Sequence, residues 1–206
     1  MAGAATITAQ RAAERFSRVD TIELTALFDV RDPVGPMTAS DADMLISRAI
    51  LREGGKWKWV DGREHGRHVQ LSSDGKLEAY PTSVLDAPSL AAVTGAPNVR
   101  LDMTQGYSLG TRDGGPASSD VYIDIAGILK SGELGKRRTV LSDPKGLAHL
   151  TALGVLVATE RVLGLDGQTP AGGGLHLPET LMQPEAGVAR FKQFGIRITS
   201  DTDGVL

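Results

Sequence analysis

The sequence contains no cysteine, few aromatic residues and no long run of apolar residues. The absence of cysteine excludes disulfide bonds, catalysis by a thiolate and zinc sites with cysteine ligands. Aromatic residues make up 4% of the chain, so its core must be built from leucine, valine, isoleucine and alanine. The most apolar segment has an uninterrupted apolar run over 153–158, far shorter than the ~20 residues of a membrane-spanning helix. The sequence therefore predicts no membrane partner.

The chain also carries little net charge. The net charge is −3 and the isoelectric point is near 5.8. Proteins that bind nucleic acids or anionic membranes usually carry clustered lysine and arginine, and the compact basic cluster at 136–138 is typical of a solvated strand edge. We therefore expect no nucleic-acid partner. No charged N-terminal segment precedes an apolar one, so a cytoplasmic location is expected.

Length and periodicity predict one α+β domain over residues 1–206. A chain of 206 residues can form a single hydrophobic core and does not require two. Apolar and polar residues alternate over 21–28, 99–104 and 121–128, as expected of strands with one buried face. An Ala-rich helix is expected at 6–16. The order of helices and strands predicts a largely antiparallel mixed sheet covered by helices on one face.

The segment 144–164 is predicted to form a long central core helix. Pro144 can open a helix, and Gly164 can end one because glycine readily adopts a positive φ. Two apolar rows run along the segment at helical spacing: Leu147, Leu150, Gly154 and Val157 in one, and Ala148, Ala152, Val155 and Val162 in the other. A helix with two apolar rows is expected to be covered on most sides.

Motifs of established catalytic chemistry do not occur in the sequence. It lacks a GxSxG nucleophile elbow, a phosphate-binding P-loop and an HExxH zinc motif. The three glycines at 172–174 follow a predicted helix instead of a strand, so they are not expected to hold a pyrophosphate. His65 and His68 would point to opposite faces of a strand, and His149 is expected to be a hydrogen-bonded core residue. Spacing alone therefore predicts no metal site, no cofactor site and no reaction.

Several short motifs follow the Ala-rich first helix in a fixed order. They are RVDTIEL at 18–24, DPVGP at 32–36, GLA at 146–148, GLHLPE at 174–179, PE at 184–185 and FGI at 194–196. Together they resemble the second domain of the saccharopine dehydrogenase-like family, which includes saccharopine reductases and dehydrogenases, lysine dehydrogenases and carboxynorspermidine dehydrogenases. The resemblance extends over 4–198, and its motifs are mostly glycines, prolines and apolar spacing.

The resemblance implies a substrate-binding and dimerisation domain that acts on an amino acid or a polyamine-like substrate. Family members carry an N-terminal Rossmann domain that binds NAD or NADP, and the fingerprint of that domain is absent from this sequence. NAD or NADP is therefore expected on a missing N-terminal domain. The chain is accordingly expected to be a piece of a longer protein, the product of half a gene, or a domain that has lost the cofactor.

The resemblance also suggests substrate-binding residues, although it identifies no catalytic one. By position, the segment 80–86 resembles the family's cleft-facing loop. Tyr80 and Asp86 are therefore candidates for contacting an amino-dicarboxylate or amine substrate. Arg100 is a candidate partner for a substrate carboxylate, and His176, after three glycines, is a candidate to face the cleft. The favoured alternative for each of them is an ordinary loop or strand residue.

The predicted sheet also suggests a homodimer. With one face of strand 121–128 under helices, the opposite face would expose Tyr122, Ala126 and Ile128. Exposed apolar patches commonly mark interfaces, and two-fold contacts are the usual closed arrangement. The family resemblance points to the same sheet as the place where two subunits meet.

A function from a different class remains as an alternative, namely a stand-alone, non-enzymatic ligand-binding or protein-interaction domain. A strand, a GxGxxG turn and a helix encoded immediately upstream would favour the oxidoreductase domain. An authentic start codon at the first residue would favour the alternative.

Overall fold

The computed structural model describes residues 3–33, 35–72, 75–201 and 204–205, which form seven helices and ten strands. The helices are α1 (Ala4–Ala13), α2 (Pro36–Ser47), α3 (Asp86–Thr94), α4 (Leu109–Arg112), α5 (Leu147–Leu163), α6 (Pro178–Leu181) and α7 (Pro184–Gln193). The strands are β1 (Phe16–Phe28), β2 (Ala49–Glu53), β3 (Lys56–Val60), β4 (Arg67–Ser72), β5 (Gly75–Pro81), β6 (Asn98–Gln105), β7 (Ser119–Leu129), β8 (Leu134–Asp143), β9 (Arg197–Ser200) and β10 (Gly204–Val205). Val34, within the DPVGP motif, lies outside the described residues.

The strands form one mixed sheet in the order β10-β9-β8-β7-β1-β6-β2-β3, with β5 also paired to β6 and β4 paired to β5. The β1–β6 pair is parallel, and the other pairs between described strands are antiparallel. The central strands, β1, β6 and β7, contain the three alternating segments of the sequence. The prediction of an α+β fold with a largely antiparallel mixed sheet is therefore confirmed.

One face of the sheet packs against helices and forms the main core. Alternate residues of the three central strands point to this face and are buried: Ile22, Leu24, Val99, Leu101, Val121, Ile123 and Ile125. Helix α1 packs in the same core, where its small residues Ala4, Ala5 and Ala9 are fully buried. Burying one such leucine or isoleucine side chain contributes roughly 1.5–3 kcal/mol. The alternation along the strands therefore determines which face the helices cover.

Helix α5 is the longest helix, but its two apolar rows are not equally buried. Leu150, Leu153 and Val157 belong to the core. In the second row, Val155 is 56% exposed and Val162 is 40% exposed. The expectation that this helix is covered on most sides is therefore wrong, because α1 already occupies the middle of the helical layer with eight of its ten residues buried.

The opposite face of the sheet is partly covered by the hairpin β4–β5. The turn residues Ser73, Asp74 and Gly75 predict a hairpin here, although they do not predict where it packs, and Ser73 and Asp74 lie outside the described residues. Leu27 and Tyr122 from the central strands are buried there against Val69, Leu71 and Ala79 of the hairpin. Tyr122 is only 2% exposed. The expectation that Tyr122 belongs to an exposed apolar face is therefore wrong, because the chain's own hairpin packs over it.

Two local predictions also differ from the structure. The first helix ends at Ala13 and Phe16 already belongs to β1, where it is buried in the core. Apolar spacing after Thr38 or Ser40 predicts a helix that reaches Ala49 and Ile50, but these two residues lie in β2, which pairs with β3 and β6. Long-range strand pairing overrides local helical preference at this point. Within the described residues, no helix is long and apolar enough to cross a membrane.

Candidate functional site

A cavity of about 760 Å³, which we call the α5–α6 cavity, lies beside the helical layer. Its lining comes from the beginnings of α1, α3 and α6, the middle of α5 and the loop 171–177. Most of its wall is apolar, with Leu85, Val155, Ala158, Val162, Leu175 and Leu177 among the lining side chains. The exposed second row of α5 therefore forms part of a concave surface, and the Gly-rich loop after α5 forms the facing wall.

Two carboxylates, Asp86 and Glu179, line this largely apolar cavity. Asp86 is the first residue of α3, and Glu179 follows Pro178 at the start of α6. Glu179 is 4% exposed. Asp86 Oδ1 and Glu179 Oε1 are buried and have no hydrogen-bond partner among the described residues.

The surroundings of Asp86 disfavour its charged form. Burial is the largest cause and raises its pKa, the charge of the N-terminus and a backbone hydrogen bond lower it, and the charge of Glu179 raises it, with a net increase. A buried carboxylate without a partner is energetically costly unless it is protonated or meets a cation. The arrangement is therefore suited to holding a proton or a positively charged group at the wall of the cavity.

The structure brings together two of the four predicted site residues. Asp86 and His176 both line the α5–α6 cavity. The imidazole of His176 is exposed at its rim, with Nε2 2.8 Å from the carbonyl oxygen of Gly172. This contact braces the Gly-rich loop, so the ring position depends on the loop conformation.

Tyr80 and Arg100 do not line this cavity. Tyr80 lies on β5 opposite Met103 of β6, and a hydrogen bond with Glu78 raises the pKa of its hydroxyl. Arg100 Nη2 lies 2.7 Å from Asp102 Oδ1, so the guanidinium already has a carboxylate partner within the chain. The substrate-binding roles of Tyr80 and Arg100 remain predictions.

Sequence reasoning missed Glu179 as a site residue, although it is the last residue of the GLHLPE motif. A signal was available in the sequence. Glu179 is an acidic residue in a largely apolar segment that includes Leu175, Leu177 and Leu181. A carboxylate in such a segment is either exposed or placed for a specific contact, and the structure shows that it is buried.

A second cavity of about 160 Å³ also has Asp86 in its lining, together with Asp29, Asp32 and Asp120. These three carboxylates differ from the Asp86–Glu179 pair because each accepts hydrogen bonds. Asp29 Oδ2 accepts from Ser108 N–H at 2.9 Å, and Asp120 Oδ2 accepts from Leu109 N–H at 2.6 Å. Asp29 and Asp120 fasten the segment that contains α4 to the ends of β1 and β7, and Asp32 accepts from the N–H of Leu147 at the beginning of α5, so we assign all three a structural role.

The described residues do not fit a dinucleotide. The passage from β1 into α2 carries the buried carboxylates Asp29 and Asp32 where a pyrophosphate would need glycines and free backbone N–H groups. The N–H of Leu147 at the beginning of α5 already donates to Asp32. Buried carboxylates at both positions would repel a phosphate. We therefore assign no nicotinamide chemistry to these residues.

The histidines do not form a metal site within the described ranges, where no group of three metal-ligating side chains occurs. His65 and His68 are not a pair, because His65 precedes β4 and its Nδ1 lies 2.9 Å from the carbonyl oxygen of Asp61. His149 is half-buried, with Nδ1 2.7 Å from Asp143 Oδ2. The predicted hydrogen bond of His149 is confirmed, but the prediction of a core position is wrong, because the side chain is half-buried.

No protein-family model matches the chain. None of the curated proteins matches it either. Among solved structures, the fold is similar to that of apo histidine-tagged saccharopine dehydrogenase (L-Glu forming) from Saccharomyces cerevisiae, with a TM-score of 0.62 and 11% sequence identity. The match covers 96% of this chain and 70% of that chain. At this level of identity, the comparison shows a shared fold.

Proposed function

We propose that this chain is the substrate-binding domain of a saccharopine dehydrogenase-like, NAD(P)-dependent oxidoreductase acting on an amino acid or a polyamine-like substrate. The observation that carries the proposal is the fold similarity to saccharopine dehydrogenase over 96% of the chain. The motifs from RVDTIEL to FGI support it independently, because they point to the same family from the sequence.

In this proposal the chain binds and orients the substrate and does not hold the nucleotide. The α5–α6 cavity receives the substrate, with Asp86 and Glu179 as its charged contacts and the second row of α5 as its apolar wall. Hydride transfer to or from the nicotinamide is assigned to a nucleotide-binding domain outside these residues. The enzyme would act in the cytoplasm and form a homodimer through the sheet.

The sequence of the complete gene and the activity of its product test the proposal. We expect a strand, a GxGxxG turn and a helix to be encoded in the same reading frame or in an adjacent gene. The purified product, or the two chains mixed, should change NAD(P)H absorbance when amines or amino acids are added. A complete protein without a nucleotide-binding partner and without such turnover would contradict the proposal.

A non-enzymatic ligand-binding domain remains the second candidate. One observation favours it: the whole lining of the α5–α6 cavity comes from this chain, so the cavity does not need another domain for its formation. Ligand binding by the chain, combined with the absence of turnover in the gene test above, would support this alternative.

A further inference from the structure

We infer that the α5–α6 cavity binds a primary ammonium group carried on an apolar chain, held by Asp86 and Glu179, and that it rejects amino-dicarboxylates. The inference rests on the proposed function, because it specifies the substrate class of the same site. It separates two classes of substrate, amines and amino-dicarboxylates, that the sequence left open.

The first argument is the state of the two carboxylates. Asp86 Oδ1 and Glu179 Oε1 are buried and without a hydrogen-bond partner among the described residues. Other buried carboxylates of the chain, such as Asp29 and Asp120, accept several hydrogen bonds. An ammonium group carries three donors and a positive charge, so its chemistry matches two neighbouring carboxylates that lack a donor.

The second argument is the wall of the cavity. Val155, Ala158 and Val162 of α5 line one side, and Leu175 and Leu177 of the loop line another. A volume of about 760 Å³ lies within the range of small-molecule sites, which combine mostly apolar walls with a few polar contacts. An apolar chain ending in an ammonium group matches this combination.

The third argument is the absence of a cationic partner for an anion. Among the described residues that line the cavity there is no lysine or arginine. Arg161, one residue beyond Glu160 on α5, instead donates to the carbonyl oxygens of Leu181 and Thr169. A substrate carboxylate in the cavity would thus meet Asp86 and Glu179 without a lysine or arginine to compensate its charge, and such like-charge contacts are unfavourable.

Titration calorimetry of the chain near neutral pH tests the inference with four probes. Hexylamine and cadaverine carry the ammonium group, hexanoate has the same apolar chain with the opposite charge, and L-glutamate is an amino-dicarboxylate. We expect both amines to bind, and hexanoate and L-glutamate not to bind. Hexanoate or L-glutamate binding as tightly as the amines would overturn the inference, as would the absence of amine binding.

Charge-removing variants locate the binding. Glu179→Gln and Asp86→Asn should each weaken hexylamine binding by about tenfold or more, because a hydrogen bond to a charged group is lost. The matched control is Glu185→Gln. Glu185 follows Pro184 at the start of α7, in the same way that Glu179 follows Pro178 at the start of α6. The side chain of Glu185, however, is 81% exposed. Hexylamine affinity in this control should equal that of the unmodified chain.

Circular dichroism of each variant verifies that it folds. If hexylamine affinity is unchanged in both charge-removing variants, the two carboxylates do not form the site and the inference is wrong.

Turnover by the complete enzyme separates this inference from the proposed function. If NAD(P)-dependent turnover of an amino-dicarboxylate occurs and is insensitive to Glu179→Gln, the inference fails while the proposed function stands. If the amines bind as expected but no amine or amino acid is turned over, the proposed function fails while the ammonium site stands.

Discussion

The carboxylate of Asp32 accepts a hydrogen bond of 2.7 Å from the backbone N–H of Leu147, so the loop after β1 caps the first turn of α5. The preceding residue, Gly146, has a φ of 86°, and a Cβ atom there would lie 2.3 Å from Asp32 Oδ1. The first N–H groups of a helix have no partner within the helix. Here one of them is satisfied by a residue 115 positions earlier.

Gly146→Ala should therefore destabilise the chain more than an ordinary substitution at a positive φ. Gly132→Ala is the matched control, because Gly132 has a φ of 90° and no atom within 4 Å of the added Cβ position. The control should cost about 1–2 kcal/mol. The loss of the Asp32 cap should add about 1 kcal/mol in Gly146→Ala. Urea unfolding measures both, and equal losses would contradict the capping role of Asp32.

Asp29 should make the chain sensitive to acid. Burial alone would raise the pKa of Asp29, but hydrogen bonds from Thr111, Ser108 and the N–H of Arg31 together lower it from 3.8 to about 2. Because the pKa is lower in the folded state, the stabilisation is present above pH 3.8 and is lost as the pH falls through about 2.

The Asp29→Asn variant tests this dependence. At neutral pH it should be less stable by about 1–3 kcal/mol, because donors in the α4 segment lose a charged acceptor. Unfolding free energies measured at several pH values should converge for variant and unmodified chain below the lowered pKa of Asp29. A difference that stays constant down to that pH would show that the charge of Asp29 does not contribute.

Tyr122→Phe should not destabilise the chain. The hydroxyl of Tyr122 is buried without a hydrogen-bond partner among the described residues, so its removal should leave stability unchanged or raise it by about 1 kcal/mol. Burial and the nearby Asp120 raise the pKa of Tyr122 from 10 to about 12. Because the pKa is higher in the folded state than in the unfolded state, the chain loses stability as the pH rises from 10 through about 12.

Thermal unfolding at neutral and alkaline pH measures both effects. Tyr80→Phe is the control, since the Tyr80 hydroxyl is hydrogen-bonded to Glu78. The unmodified chain should lose stability more steeply than Tyr122→Phe at alkaline pH. A marked loss of stability in Tyr122→Phe at neutral pH would indicate that the hydroxyl has a partner.

The homodimer through the sheet remains a prediction, and a substitution of Tyr122 cannot test it. Because Tyr122 is buried under the hairpin β4–β5, replacing it with a charged residue would disrupt the fold itself. Ile128 is half-buried near the end of β7 and can be replaced instead. Sedimentation equilibrium at low micromolar concentration should show a dimer that Ile128→Asp weakens. A monomer, or a dimer unaffected by this change, would remove the sheet face as the interface.

The sequence correctly predicted those helices and strands that a single residue pattern determines. Alternation in β1, β6 and β7 identified the three central strands and the face that the helices cover, because successive side chains of a strand point to opposite faces. The fold class followed from the order of the elements. The family resemblance and the fold similarity to saccharopine dehydrogenase agree.

The sequence was insufficient where a residue depends on a distant partner. The second apolar row of α5 predicted burial, but α1 packs in the middle of the helical layer and leaves Val155 as a cavity wall. Tyr122 is covered by the hairpin β4–β5, whose position over the sheet local periodicity does not reveal. Glu179 became a candidate only when the structure placed its carboxylate in the same cavity as Asp86.

The central claim is that the α5–α6 cavity is the ligand site of this chain, and nuclear magnetic resonance of the isotope-labelled chain tests it most directly. On titration with hexylamine, the largest backbone amide shifts should occur at Asp86, Gly154 and Glu179, which line the cavity. The carboxylates of Glu23 and Asp102, which bind Arg67 elsewhere on the sheet, serve as an internal control. Shifts concentrated at Glu23 and Asp102, or shifts of equal size with hexanoate, would contradict the account.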